Sequence, residues 1–223
     1  MIEAAVDSFD SALAAESAGA SRIELCADLA RDGLTPPWDL VARCRAALAI
    51  PIHVMIRPRA GDFVYTAAER REMEDGIRRA GDAGVAGVVF GALRRSAVID
   101  TGVIEKLTSL SISPSVRLSV CFHRAFDRVA DPLAALDQLI PLRVHRVLTS
   151  GGAPSAEQGI PVLRRLVERA EGRIVILAGG GINGTNARRI VEGSGVAEVH
   201  VGVRRVEDAE KIRAVRAALS ARG

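Results

Sequence analysis

The chain has 223 residues, of which 48% are hydrophobic and 3% aromatic, so it can form one large domain with an aliphatic core. The formal net charge is +3 and the basic residues are scattered, which argues against the concentrated basic patch of a nucleic-acid binder. No apolar stretch reaches the roughly 18 residues that a membrane span needs, so we expect neither a nucleic-acid nor a membrane partner.

Short apolar runs alternate with longer amphipathic ones along the chain, a pattern typical of β–α units. We predict strands over residues 2–6, 21–26, 52–57, 86–90, 117–122, 144–149, 173–178 and 197–202. We predict helices over residues 8–18, 37–48, 66–82, 101–109, 131–139, 155–170, 183–192 and 207–219. Each predicted strand is followed by one predicted helix.

Strands that alternate with helices pair in parallel through right-handed crossovers. Eight such units with no segment left over favour an α/β fold of the closed (β/α)₈ TIM-barrel type, with residues 1–223 as a single domain. A doubly wound open sheet is the alternative. In a barrel, functional side chains lie at the C-terminal ends of the strands.

Alternation within the predicted strands separates two faces. In the fifth strand Val120 and Phe122 share an apolar face, whereas Cys121 and His123 share the other. We expect the apolar face to contact the helices and the mixed face to line the barrel axis. The same count places five side chains inward near the C-terminal ends of the strands: Glu24, Cys26, Arg57, Cys121 and His123.

The third predicted strand runs into the arginine-rich segment Met-Ile-Arg-Pro-Arg-Ala-Gly-Asp-Phe. Arg57 ends the strand, and Arg59 and Asp62 follow in the loop. Two guanidinium groups at one strand end are suited to bidentate binding of a carboxylate or phosphate. We therefore predict that these three residues bind substrate. The alternative is that Arg57 pairs internally with Glu24 or Glu3.

The fifth predicted strand is followed by His123, Arg124 and Asp127. A histidine at a strand end can act as a general acid or base. We predict that His123 is catalytic together with Glu24 or Asp127, and that Arg124 binds substrate. The alternative for His123 is a structural role in which the ring is held by hydrogen bonds.

Glycine-rich loops follow the sixth and seventh predicted strands. Such loops present backbone N–H groups to anions, and the seventh strand is a common place for phosphate in barrels. The alternative is that the glycines serve only to form tight turns. The predicted substrate-binding residues of the two loops are Thr149, Ser150, Gly151, Gly180 and Gly181.

Two carboxylates, Glu3 and Glu24, lie on the first two predicted strands. Paired carboxylates can divide acid and base roles or bind a cation. They can equally neutralise Arg57 and Arg22. We include Glu3, together with His200 of the eighth strand, among the substrate-binding candidates.

These segments together resemble the CutC family. The strings Met-Ile-Arg-Pro-Arg and Phe-His-Arg-Ala-Phe-Asp are the most specific of them. The resemblance implies a barrel fold, homo-oligomers and cytosolic handling of copper as Cu(I), with cysteines as ligands. Family members often have a cysteine in the first strand, where this chain has Ala5, and a longer loop after the histidine that corresponds to His200. The matching segments are residues 6–8, 20–26, 33–36, 55–63, 89–93, 122–127, 146–151 and 179–182.

Three functions follow from these observations. The resemblance implies a Cu(I)-binding copper homeostasis protein, with Cys26 and Cys121 as metal ligands. The residues themselves favour a barrel that binds a small phosphorylated or carboxylated metabolite, of unassigned reaction, so whether the chain is an enzyme is left open. A scaffold whose inward polar residues all pair with each other is the third possibility. The lack of a signal peptide and of a CxxC pair leads us to expect a cytoplasmic protein, and the resemblance leads us to expect a homodimer or higher homo-oligomer.

Overall fold

Eight parallel strands close into a barrel in chain order in the computed structural model, which describes residues 1–220. The strands are β1 Ile2–Val6, β2 Arg22–Leu25, β3 Ile52–Met55, β4 Gly87–Phe90, β5 Ser119–Phe122, β6 Arg146–Thr149, β7 Val175–Gly179 and β8 Glu198–Gly202. The main helices are α1 Phe9–Ser17, α2 Trp38–Ala47, α3 Ala67–Asp82, α4 Thr101–Ser111, α5 Pro132–Leu139, α6 Ile160–Ala170, α7 Ala187–Ser194 and α8 Glu210–Ser220. Three 3₁₀ turns span Leu29–Arg31, Arg124–Arg128 and Val206–Ala209.

The first strand closes the sheet, because β1 pairs in parallel with both β2 and β8. On one side Glu3 is in register with Arg22, and on the other side it is in register with His200. A sheet whose first and last strands pair has no free edge. The predicted (β/α)₈ barrel is therefore confirmed, and the open-sheet alternative is wrong.

Side chains of the strands divide into two layers, as their alternation predicts. Val120 and Phe122 are fully buried in the large apolar layer between the barrel and its helices. Inside the barrel lies a smaller group, here called the inner cluster. The inner cluster consists of Ala5, Cys26, Leu29, Met55, Val89, Cys121, Leu148 and Leu177. It forms an apolar plug across the barrel, so that polar inward residues gather above and below it.

Below the inner cluster, at the N-terminal ends of the strands, a buried ionic network crosses the barrel. Arg22 donates to Glu3 and to Glu198, whose carboxylate also accepts from Arg146 at 3.0 Å. Arg146 in turn donates to the Ser119 hydroxyl at 2.9 Å. These contacts compensate the charges that the floor of the barrel buries.

Two helices begin four or more residues later than their sequence pattern predicts. The helix predicted to start at residue 155 begins at Ile160, because residues 155–159 form turns that bring Gly159 against the Ser150 carbonyl. The helix predicted over 183–192 begins at Ala187, because the Asn183 side chain accepts from the Thr185 N–H and holds a turn there. Among the helices of residues 1–220, none has both the length and the apolar character required to cross a bilayer.

Candidate functional site

A cavity of about 560 Å³ opens at the C-terminal ends of the strands, above the inner cluster. Its wall contains three of the sequence-predicted groups together, namely Glu24, Arg57 and His123. His200, Arg124, Asp127, Gly180 and Gly181 also line it. The structure therefore brings these residues from five different strand ends to one site, as the barrel fold predicts.

Two carboxylates and an imidazole from three neighbouring strands lie together at one side of the cavity. Glu24 and His200 line the cavity, whereas Glu3, a predicted substrate-binding residue, is fully buried behind His200 and does not line it. Glu3, Glu24 and His200 lie on β1, β2 and β8, and each offers one potential ligand atom within 4.8 Å of the others. His200 Nδ1 is 2.8 Å from Glu3 Oε1, and His200 Nε2 is 4.0 Å from Glu24 Oε1. Glu3 Oε2 accepts from Arg22, whereas Glu24 Oε2 has no partner among residues 1–220. We refer to these three residues as the acidic wall.

The two carboxylates of the acidic wall have opposite pKa shifts. Burial alone would raise the pKa of Glu3, but the hydrogen bond and charge of His200 and the charge of Arg22 outweigh it and lower the pKa to about 2. Burial raises the pKa of Glu24 to about 7, with His200 opposing the shift and Glu3 adding to it. Burial would lower the pKa of His200, but both carboxylates together raise it. Glu3 is therefore ionised at neutral pH, and Glu24 is the carboxylate without a fixed counter-charge.

His123 lines the cavity as a neutral hydrogen-bond donor. Its Nδ1 accepts from the Ala125 N–H at 3.2 Å, so the proton of the neutral ring lies on Nε2. Burial, with the charge of Arg57 adding to it, lowers the pKa of His123 to about 3. Nε2 is buried and has no partner among residues 1–220. The prediction that His123 acts as a general base does not fit this tautomer, because the only free ring position carries a proton.

Arg57 also faces the cavity, but its guanidinium is mostly engaged. Its two terminal nitrogens donate to backbone carbonyls of the loops that follow β2 and β3, including those of Gly33 and Gly61. Its Nε has no partner in the described chain, and its guanidinium carbon lies 4.9 Å from the centre of the Phe63 ring. The alternative in which Arg57 pairs with Glu3 or Glu24 is therefore wrong. Arg57 ties two loops together and offers one N–H to a ligand.

The predicted clamp of two arginines does not form. Arg59 turns away from the cavity and donates to Glu69 at 2.6 Å and to Asp62 at 2.9 Å. Asp62 is exposed and lines no part of the cavity. The reason is local, since Glu69 lies in the first turn of α3 and attracts the guanidinium to the helix N-terminus. Neither Arg59 nor Asp62 is placed to bind substrate in this cavity.

Asp127 is predicted to be catalytic, but in the structure its carboxylate stabilises the loop after β6. Its carboxylate accepts from the Thr149 hydroxyl and from the backbone N–H groups of Ser150 and Gly152. It also accepts from Arg124 at 2.8 Å. All its lone-pair directions are therefore used. Thr149, Ser150 and Gly151 are buried in this loop and do not line the cavity, so the structure does not bring these predicted substrate-binding residues to it.

The side of the cavity at β7 and β8 is basic. Gly180 and Gly181 have φ values of 115° and 74°, which an L side chain rarely adopts. The backbone N–H groups of Gly181 and Ile182 donate to no protein group in the described chain. Arg124 and two residues that the sequence did not single out, Arg204 and Lys211, bring cationic side chains to the same wall. We refer to Arg124, Gly181, Ile182, Arg204 and Lys211 as the basic wall.

Cys26, directly after β2, and Cys121, on β5, belong to the inner cluster together with Met55 of β3. Both thiols are fully buried. Burial, with the charge of the nearby carboxylates adding to it, raises the pKa of each thiol well above its ordinary value. Thiolates are the form that binds metals, and this environment favours the protonated thiol.

Comparisons with known proteins agree over most of the chain. The family model described as CutC family matches residues 1–205. Similar curated proteins include the copper homeostasis protein cutC homolog of Homo sapiens, which is 46% identical over 93% of this chain and 75% of that protein. A family protein CutC of Histophilus somni is 45% identical over 91% of this chain and 82% of its own length.

Solved structures give the same picture. A CutC structure from Streptococcus agalactiae is 34% identical, has a TM-score of 0.84 and covers 92% of this chain and 98% of its own. A thiamine phosphate pyrophosphorylase from Pyrococcus furiosus has a TM-score of 0.66 at 17% identity, covering 98% of this chain and 94% of its own. The second likeness shows the barrel fold alone.

Proposed function

The chain belongs to the CutC family, and from that premise and the geometry of its cavity we propose that it is a barrel enzyme acting on a small anionic metabolite. The ligand carries a phosphate or carboxylate group. It binds at the C-terminal ends of the strands, between the acidic wall and the basic wall.

Three residues that line the cavity each have one buried, unpartnered polar atom, and these atoms carry this proposal. Glu24 Oε2, Arg57 Nε and His123 Nε2 are all buried, and none has a hydrogen-bond partner among residues 1–220. Leaving a buried polar group unpaired costs about 1–3 kcal/mol, so three around one cavity are expected where a ligand completes their bonds. Two of the three atoms are donors, which favours a ligand with oxygen acceptors.

The basic wall supports an anionic ligand. Arg124, Arg204 and Lys211 line the same cavity as Gly181 and Ile182, whose backbone N–H groups have no protein acceptor in the described chain. Backbone N–H groups in a glycine turn together with cationic side chains form a concave site for an anion. The loops after the seventh and eighth strands of barrels frequently bind phosphate, and a carboxylate offers oxygen acceptors to the same kinds of donor.

The proposal is tested by the thermal and chemical stability of the protein with added anions. We expect inorganic phosphate, sugar phosphates or small organic acids to stabilise the native protein. A ligand at a hundred times its Kd raises the free energy of unfolding by about 2.7 kcal/mol. Stability that does not respond to any anion of such a panel at millimolar concentration would contradict the proposal.

Two arginine variants separate binding in the cavity from general charge effects. Arg124→Gln removes a guanidinium of the basic wall, whereas Arg59→Gln removes one that lies outside the cavity. Both variants lower the net charge by one. We expect the apparent affinity for the stabilising anion to fall at least tenfold in Arg124→Gln and to be unchanged in Arg59→Gln. Equal losses in the two variants would indicate non-specific screening.

Copper handling is the second candidate function. It is favoured by the names of the human and mouse relatives, both copper homeostasis protein cutC homologs at 46% identity. Two thiols and a thioether in the inner cluster, those of Cys26, Cys121 and Met55, are soft donors of the type that Cu(I) prefers. The raised thiol pKa values work against it, because each thiol must lose its proton to bind.

Competition with a Cu(I) chelator tests this second function. We expect a Cu(I)-binding chain to lose its copper on Cys26→Ser and to retain it on Cys44→Ser, a variant of the thiol on α2. Stoichiometric Cu(I) retention by Cys26→Ser would rule out Cys26 as a copper ligand. Binding by neither the wild type nor the variants would rule out Cu(I) handling by the isolated chain.

We also propose that the chain works in a reducing, cytoplasmic compartment as a homodimer or higher homo-oligomer. The three free, buried cysteines support the first part, because none of them forms a disulfide in the described residues. Light scattering coupled to size-exclusion chromatography measures the oligomeric state. A monomer at micromolar concentration would contradict it.

A further inference from the structure

The acidic wall poses an electrostatic problem for the function proposed above. An anionic ligand held by the basic wall shares its cavity with the buried carboxylate of Glu24. Glu3 has Arg22 as a fixed counter-charge, but Glu24 has no salt bridge to an arginine or lysine in residues 1–220. Like charges in a poorly solvated cavity repel strongly. A group that attracts both Glu24 and the anion would remove this conflict.

We propose that the acidic wall binds one divalent transition-metal ion, of the class that includes Mn²⁺, Fe²⁺, Co²⁺ and Zn²⁺. Glu24 and His200 are the ligands, and Glu3 orients His200. The inference deepens the proposed function and rests on it for the anion, which occupies coordination positions that face the cavity.

The distances within the acidic wall fit this arrangement. His200 Nε2 and Glu24 Oε1 are 4.0 Å apart. Two ligands of one tetrahedral ion with bonds of about 2.0–2.1 Å lie about 3.4 Å apart, so a shift of about half an ångström brings both atoms to one ion. The second oxygen of Glu24 is buried and unpartnered, so it is available to the same ion. These two side chains provide an imidazole nitrogen and up to two carboxylate oxygens on one side of the cavity.

Glu3 stands behind His200 as an orienting group. Its Oε1 is 2.8 Å from His200 Nδ1, and its Oε2 is held by Arg22. A histidine that donates one ring N–H to a carboxylate presents its other nitrogen to a metal in a fixed direction and with raised basicity. The floor network therefore fixes the direction in which His200 faces the cavity.

The donor set selects the class of metal. Carboxylate and imidazole ligands suit borderline divalent ions, whereas Cu(I) prefers thiolates and thioethers. Two protein side chains leave several positions open to the cavity, as in sites where a metal binds substrate or water. This site is distinct from the sulfur atoms of the inner cluster and is separately testable.

Metal binding is measured on protein stripped with a chelator, by calorimetry with Mn²⁺ and Zn²⁺ and by the absorption spectrum of added Co²⁺. We expect one ion per chain in the wild type. Glu24→Gln and His200→Gln should each weaken binding at least a hundredfold. Glu3→Gln should weaken it about 10–100-fold, as expected for an orienting carboxylate.

Asp137→Asn is the matched control, because it neutralises a carboxylate that pairs with Arg169 on the surface, outside the cavity. We expect it to retain the ion with an unchanged Co²⁺ spectrum. Circular dichroism and thermal melting establish that each variant is folded. Wild-type protein that binds no divalent ion at millimolar concentration would overturn the inference. Binding that survives Glu24→Gln and His200→Gln, or that is lost in Asp137→Asn, would overturn it too.

Inorganic phosphate separates this inference from the function on which it rests. We expect phosphate to tighten Mn²⁺ binding and Mn²⁺ to tighten phosphate binding by the same factor, because coupling between two sites is reciprocal. If phosphate stabilises the stripped protein but no divalent ion binds, the metal site is wrong and the anion site stands. If the ion binds but no anion does, the metal site stands and the proposed ligand class is wrong.

Discussion

His123 shows how burial decides what a single side chain can do. Its ring lies 4.9 Å from that of Phe63 and 5.9 Å from that of Phe122, measured between centroids. This apolar contact and the charge of Arg57 disfavour protonation and lower the pKa of His123 to about 3. A neutral imidazole with its proton on Nε2 binds an oxygen atom of a ligand. We therefore expect His123 to polarise or orient that ligand oxygen, and we expect other groups to transfer protons.

The neutral state of His123 predicts a loss of stability in acid. An unfolded histidine has a pKa of about 6.5, so between about pH 6.5 and 3 the unfolded chain binds a proton that the folded chain excludes. Stability is therefore fully present above about pH 6.5 and falls as the pH is lowered, by up to about 1.4 kcal/mol per pH unit for this residue. His53, whose pKa burial lowers to about 4, acts in the same direction.

His123→Phe tests this pH dependence by urea denaturation. The variant keeps an aromatic ring among Phe63 and Phe122 and loses the titrating group. We expect a pH-independent destabilisation of about 1–3 kcal/mol from the unpaired Ala125 N–H, and a shallower decline of stability below about pH 6.5. Curves that stay parallel to those of the wild type would show that His123 does not control the acid sensitivity.

Gly87 is a second position where one added atom is expected to change the stability of the protein. A Cβ at Gly87 would lie 2.6 Å from the His53 ring and 2.7 Å from the Ser119 carbonyl oxygen. We expect Gly87→Ala to destabilise the protein by about 1–3 kcal/mol, since a core with no free space must shift. Gly102→Ala is the control, because Gly102 lies in α4 with open surroundings, and the change should be neutral or stabilising by up to about 1 kcal/mol. Equal effects in chemical denaturation would contradict the assigned clash.

At the scale of secondary-structure elements, strands and inward side chains could be predicted from the sequence, but loop contacts could not. Alternation of apolar and polar residues fixes the face of each side chain, which is why Glu24 and His123 were placed correctly on the barrel axis. Arg59 follows no such rule, because its direction depends on a carboxylate ten residues later in α3. Lys211 reaches the cavity from a helix, and only the docking of that helix on the barrel reveals it.

The loop after β6 depends on one carboxylate from the loop after β5. Asp127 accepts from a hydroxyl and two backbone N–H groups of that loop, and no other described acceptor serves the Gly152 N–H. We expect Asp127→Asn to destabilise the protein by about 1.5–3 kcal/mol, because charge-assisted hydrogen bonds are lost. Amide hydrogen exchange should accelerate at Ser150 and Gly152 more than in β6. Unchanged exchange at these two amides would contradict the structural role of Asp127.

At the scale of the whole molecule, the pairing of β1 with β8 closes the barrel, and the buried ionic network crosses its floor. The pairing of β1 with β8 brings Glu198, near the end of the chain, beside Arg22, near its start. The inner cluster separates this floor from the cavity, so that the same barrel has a structural end and a functional end. Glu3 belongs to both ends, because it binds Arg22 below and His200 above.

Glu198→Ala tests how far closure depends on the floor network. Glu198 is buried, accepts from Arg22 at 2.7 Å and from Arg146 at 3.0 Å, and its loss leaves buried guanidinium charge under-compensated. Removing one partner of a buried ion pair costs about 3–5 kcal/mol, and we expect that loss in the free energy of unfolding. Asp137→Ala is the matched control, because Asp137 pairs with Arg169 at 2.7 Å on the surface and such pairs contribute about 0–1 kcal/mol. The surface effect should shrink at high salt, whereas the floor effect should persist, because solvent ions do not screen a buried pair. Similar losses for the two variants, or a floor effect abolished by salt, would mean that the network does not hold the barrel closed.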